Sequence, residues 1–196
     1  MHPQLHHLLT LRAHFAPDTL HAGTLHPTGP SRDITAFEGG FLHGVAGTRA
    51  AGLDATLLRG GSDWLLCDER RGLAHIDVRT HARLSDGHGV YVQYTGYLGL
   101  DADARRFMAR AVDARTTAYG DHDWWTRLVI ETSGEFGFYT VGLGDGLMGA
   151  APRFKWLERT VLVGRGRWVR EADVRAVEYQ VYEVCHGPWE ERSAKL

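Results

Sequence analysis

The stretch from Leu73 to Leu84 constrains this chain most. Ile76, Val78, Ala82 and Leu84 fall on one side of an extended segment, and His75, Asp77, Arg79, His81 and Arg83 fall on the other. Strict alternation over this length fits a half-buried β-strand and no helix, because strand side chains point to opposite faces in turn. Ser85-Asp86-Gly87-His88-Gly89 supplies turn chemistry. Val90 to Tyr97 then continues in β-branched and aromatic residues, so the two segments form a hairpin.

The same punctuation recurs along the chain. Leu9, Leu11, Ala13 and Phe15 share one face of Leu5 to Phe15. Pro17 to Pro30 reads as loop, being rich in Pro, Gly, Thr and His. Further strands are expected at Ile34 to Phe41, Ala55 to Arg59, Asp63 to Cys67, Trp124 to Thr132, Phe136 to Val141, Lys155 to Val163 and Val177 to Val184. Asp68 to Gly72 reads as a hairpin tip, Gly142 to Gly149 as a glycine-rich loop, and Gly164-Arg165-Gly166-Arg167 as the end of a strand. One helix is expected from Asp101 to Ala118, capped by Asp101 or Asp103, with Phe107, Met108, Ala111 and Val112 at helical spacing.

Short strands in series with turns between them predict a mainly β fold: a closed or nearly closed antiparallel barrel of about eight strands with one helical insert. Closure removes exposed strand edges, which favours a barrel. The 196 residues suffice for one domain with a sizeable core, and no linker or repeat divides them. The segment from 186 to 196 reads as a polar tail.

Several function classes are expected to be excluded. A net charge of −2 gives no long-range pull toward nucleic acid or anionic membrane. No run approaches ~18 apolar residues, and the first residues lack a signal-peptide pattern. Two cysteines, Cys67 and Cys185, fit a reduced compartment, so a cytoplasmic protein is the expectation. His6-His7, His75 with His81, and Asp121-His122-Asp123 lack metal-ligand spacing, so no metal is expected. The Gly142 to Gly149 stretch has no βαβ context and no following Lys-Ser/Thr, so it is not a phosphate loop.

The candidate chemistry depends on which strand faces look inward. If the titratable face of Leu73 to Leu84 lines a lumen, Asp77 and Arg79 become acid and base groups in a low dielectric; facing outward, they are surface charges. Tyr91 on the next strand can donate to a developing oxyanion or simply pack with a wet tip. Arg127 and Glu131 share a face and can hold a ligand carboxylate and a proton donor, or neutralise neighbouring strands. Trp64 and Trp156 are candidate apolar walls, although a Trp in a β domain is more often core.

Five segments in order also resemble one family. They are Leu58-Arg59-Gly60-Gly61-Ser62-Asp63-Trp64, Ile76-Asp77-Val78-Arg79, Asp86-Gly87 with Val90-Tyr91-Val92, Ala151-Pro152-Arg153-Phe154-Lys155-Trp156-Leu157 with Val161-Leu162-Val163-Gly164, and Val181-Tyr182-Glu183-Val184. Together they resemble the domain of unknown function 3237 (UPF-0311) over about residues 35 to 184. Glu158 stands where that family usually has Asn. The resemblance implies a small antiparallel barrel with a central cavity and no settled activity; it gives Asp77 and Arg79 more weight than the histidines.

The expected function is therefore binding of a small apolar or aromatic metabolite in a barrel. A cofactor-free cyclase, isomerase or dehydratase is the leading reading. The alternative is a non-catalytic carrier or sensor, and association of the chain with copies of itself is compatible with either. An open cavity with converging titratable groups would favour the enzyme, and a wholly apolar one the carrier.

Overall fold

The computed structural model describes residues 2–133 and 153–186. The expected strand at Phe136 to Val141 and the glycine loop at Gly142 to Gly149 lie outside them. Among the described residues there are nine strands: β1 (Pro3–Thr24), β2 (Ser31–Gly44), β3 (Asp54–Leu57), β4 (Ser62–Asp68), β5 (Leu73–Leu84), β6 (Gly89–Gly99), β7 (Trp124–Thr132), β8 (Leu162–Glu171) and β9 (Val174–His186). One α-helix, α1 (Ala102–Met108), follows β6, and a 3₁₀ turn (Lys155–Arg159) precedes β8.

Every strand pairing is antiparallel, and the pairings close on themselves. The order runs β1-β9-β8-β7-β6-β5-β3-β2, with β2 returning to β1. The shorter strands β3 and β4 share one place in this ring. β2 pairs β4 through Ser31–Ala36 and β3 through Gly40–His43, while β5 pairs β4 and β3 in the same succession. The changeover on β2 falls at Gly39 and Gly40, whose φ values are 158° and 136°. A side chain at Gly40 would meet the Arg12 carbonyl, so only glycine lets β1 approach there. The fold is thus a mainly β, barrel-like ring with one helix.

The interior follows from alternation. Leu9, Leu11 and Ala13 from β1, Ile76 and Val78 from β5, Val92 and Tyr94 from β6, and Leu128 and Ile130 from β7 are all buried. Trp124 is packed on Trp168 at 4.4 Å and on Tyr179 at 5.5 Å between ring centroids. The indole has room because Gly166 carries no side chain: a Cβ there would sit 2.4 Å from the Trp124 ring. Gly166→Ala is expected to cost about 1–3 kcal/mol by overpacking. Urea unfolding of the variant checks this, and an unchanged midpoint would contradict the packing.

Four sequence expectations are corrected. Pro17 to Pro30 is not all loop, since β1 continues to Thr24 and pairs β2 across register shifts near Phe15 and His21. The cross-strand bonds outweigh the local turn preference of its Pro, Gly and Thr. The helix ends at Met108 rather than Ala118, because the chain turns left-handed at Arg110. Lys155 to Arg159 is a 3₁₀ turn, not a strand start. Gly164-Arg165-Gly166-Arg167 lies inside β8, where both glycines receive inner-wall side chains that a Cβ would displace. The Asp101 cap holds, with its carboxylate accepting from the Ala104 N–H at 2.8 Å. No helix is long and apolar enough to cross a membrane among the described residues.

Candidate functional site

A cavity of about 390 Å³ opens at the end of the ring covered by α1. Its apolar wall includes Phe15, Leu65, Leu98, Phe107, Met108 and Trp168. Phe107 stacks on Trp168 at 4.5 Å, which fixes the helix over the ring. The Trp168 indole N–H is buried and has no hydrogen-bond partner among the described residues.

Asp63 brings a carboxyl to this aromatic wall. Alternation along β4 turns Asp63 and Leu65 toward the cavity and Cys67 into the core, and turns Trp64 away. Oδ1 of Asp63 is buried with no partner among the described residues. Burial pushes the carboxyl up to about 7; the backbone of Asp77 and the Arg32 guanidinium pull it down, and the Asp77 charge adds to the rise. Behind it lie Tyr94 and Tyr179, edge to face at 5.0 Å. Burial raises both phenols well above their usual range, and the Asp63 charge adds to each. They therefore remain neutral donors.

The mouth carries more polar groups. His21 and Asp33, partners across β1 and β2, meet at 2.6 Å. Thr19 and Thr35 share a hydrogen bond of 3.0 Å. Arg110 and Arg175 close the side nearest α1. A group titrating near neutrality beside aromatic walls and neutral donors is suited to giving or taking one proton from a bound molecule. Among the described residues no cluster of His, Cys, Asp and Glu is arranged to hold a metal ion.

The residues singled out from sequence lie elsewhere. On β5 the apolar face is buried and the titratable face is exposed, so Asp77 and Arg79 look outward and pair with each other at 3.1 Å. Pairing in register carries that outward face onto β6 and β7. Tyr91 sits between His81 and Glu131, and Thr95 between Asp77 and Arg127. Tyr91 and Glu131 thus share one outer groove and Asp77 and Arg127 another, and no lumen brings all five together. Trp64 is 44% exposed on the outer wall. Trp156 packs partly buried against the core under the Arg49 guanidinium, 3.8 Å from its ring, and borders no cavity wall described above. Of the two orientations that the sequence left open for β5, the structure has the charged face outward. Six apolar or hydroxyl side chains fill the inner side, leaving no room for unpaired charges.

Comparison with known proteins places the chain. The family described as "Protein of unknown function (DUF3237)" matches residues 3–184. The chain belongs to the DUF3237 family. Among solved structures, a β-barrel-like protein from Acinetobacter baumannii is 25% identical, with a TM-score of 0.64 over 94% of this chain and 98% of that one. A conserved protein of unknown function from Rhodopseudomonas palustris is 19% identical, with a TM-score of 0.68 over 94% and 99%. An enzyme from Penicillium herquei is 13% identical, with a TM-score of 0.52 over 93% and 95%, and shares the fold. No curated protein matches.

Within this DUF3237 chain, the sequence signal for Asp63 was present but ambiguous. It lies in the family-like segment Leu58 to Trp64, one residue from the tryptophan chosen as a wall. β4 has apolar residues on both faces, so alternation alone does not say which face is inside. Trp168 follows a basic stretch that read as the end of a strand, and Phe107 read as ordinary helix core. Nothing in local spacing marked Arg110 or Arg175, which approach the cavity from separate elements.

Proposed function

We propose that this protein is a cofactor-independent enzyme that moves a proton on a small, mainly apolar or aromatic metabolite held in the end cavity. The reaction class is a cyclisation, isomerisation or dehydration. The observation that carries this reading is the Asp63 carboxyl, which borders an aromatic cavity and titrates at about 7. Protonated, it is a general acid; ionised, it is a base strengthened by its dry surroundings. The stacked Phe107 and Trp168 rings fix the plane of the bound molecule. Asp77, Arg79, Tyr91, Arg127 and Glu131 are outside this constellation.

The test uses a metabolite extract from the host, followed by mass spectrometry. The wild-type protein is expected to convert one component into an isomer or into a product lighter by one water. Asp63→Asn should retain that component unchanged. Leu65→Trp, which fills the cavity, should neither hold nor convert it. A component that the wild type binds and releases unchanged would replace this reading with that of a carrier.

A further inference from the structure

Helix α1 ends in an unexpected residue. The Ala111 N–H bonds to the Arg106 carbonyl at 3.0 Å and the Arg110 N–H bonds to the Phe107 carbonyl at 3.0 Å, the two bonds of a Schellman motif. Arg110 occupies its left-handed position, with φ of 54°. Glycine is the usual occupant, because a side chain in that conformation costs about 1–2 kcal/mol. The chain has 24 glycines, yet it keeps arginine here. A strained residue retained at a cavity mouth suggests that its side chain serves the site.

That side chain is a cation without a counterion among the described residues. Arg110 uses only Nη2, bonding to the Ala16 carbonyl at 2.8 Å and the Thr19 hydroxyl at 3.4 Å. Arg175, also on the cavity, bonds to the Phe107 and Ala111 carbonyls. Arg170 bonds to the carbonyls of Ala111, Val112 and Ala114. None of the three makes an ion pair among the described residues. The acids that border the cavity are Asp63, Asp18 and Asp33; Asp18 and Asp33 stand on the β1–β2 side, and Asp33 is taken up by His21. Burial lowers the Arg175 guanidinium, and the charges of Arg170 and Arg110 add to that effect. Such a cluster lacks one anion.

We infer that the cavity takes an anionic aromatic ligand, whose carboxylate or similar planar oxyanion is held by Arg110 and Arg175 at the mouth. Guanidinium donors match a planar oxyanion in charge and geometry. The inference rests on the proposed use of this cavity and adds the class of its ligand. Asp63 is then left to act on the part of the molecule away from its anionic group.

The test compares 2-naphthoate with its neutral counterpart 2-naphthamide by titration calorimetry. Wild-type protein is expected to bind 2-naphthoate roughly ten- to a hundredfold more tightly, as charge-assisted bonds imply. Arg110→Gly suits the left-handed backbone and should fold. It should bring 2-naphthoate down to the affinity of 2-naphthamide while leaving the neutral probe unaffected. Arg110→Lys should recover part of the preference, and Arg175→Gln should lose part of it. Equal binding of the two probes by wild type, or a preference that survives in Arg110→Gly, would overturn the inference. Failure of both probes to bind would overturn it together with the cavity reading. An arginine-dependent preference alongside an Asp63 that titrates as an ordinary carboxylate would leave this inference standing and remove only the proton-transfer role.

Discussion

Asp63→Asn is expected to slow turnover by about a hundredfold to ten-thousandfold while leaving ligand binding nearly intact, the usual range for loss of a positioned acid or base. The amide keeps the size and much of the polarity of the carboxyl, so the wall around Leu65 and Phe15 should not move. The same substitution has a signature in stability, and its sign follows from the raised titration. The Asp63 carboxyl has an ordinary value of 3.8 and is held at about 7 in the folded protein. Between those two values the folded state keeps a proton that the unfolded chain has released. The group therefore adds a term that lowers stability as pH rises from about 4 to about 7 and is level above that. The term is on the order of a few kcal/mol at most, because the half-buried carboxyl retains some contact with the cavity. Asn removes this slope. Denaturant unfolding across that pH window, with the variant beside wild type, should give curves that converge in acid and separate toward neutrality, the variant being the more stable. Parallel curves would contradict the assignment.

Trp124→Ala is expected to have the largest effect on stability, about 3–5 kcal/mol. The ring is 1% exposed and sits between Trp168 and Tyr179, facing the bare Gly166 backbone. No neighbour can collapse into the space without leaving its own partner, so a cavity remains. For a chain of this size the loss corresponds to a thermal midpoint lower by roughly 10 °C. Trp168 also forms the wall of the end cavity, so ligand affinity should fall with it. Indole added to the variant should recover part of the midpoint by occupying the void. A loss below about 1 kcal/mol would mean that the interior tolerates repacking here.

The fold was legible because its cause is local and repeated. Alternation on β5 and β6 and the turn at Ser85 to Gly89 fix a hairpin whatever the rest of the chain does. The end of α1 was not legible, because nothing in the spacing after Met108 stops a helix; the left-handed turn at Arg110 is set by contacts with β1 and β9. The long reach of β1 past Pro17 was hidden for a similar reason, since its bonds go to β2. For the site, period two correctly gave the two faces of β5 but not which one is inside. That choice is made by the closed ring, which places Ala74, Ile76, Val78 and Thr80 against the far wall and leaves Asp77 and Arg79 in water. The same closure brings Asp63, Phe107, Trp168 and Arg175 from four separate elements to one cavity. No segment of sequence contains that convergence.

The account turns on Asp63, and the most direct measurement is its own titration. Carbon-13 NMR of the aspartate side-chain carboxyl, assigned by comparison with Asp63→Asn, follows the group through acid and neutral pH. The expected midpoint is at about 7. A midpoint at about 4, the value of an ordinary solvated aspartate, would contradict the claim that this cavity holds a proton-transferring acid.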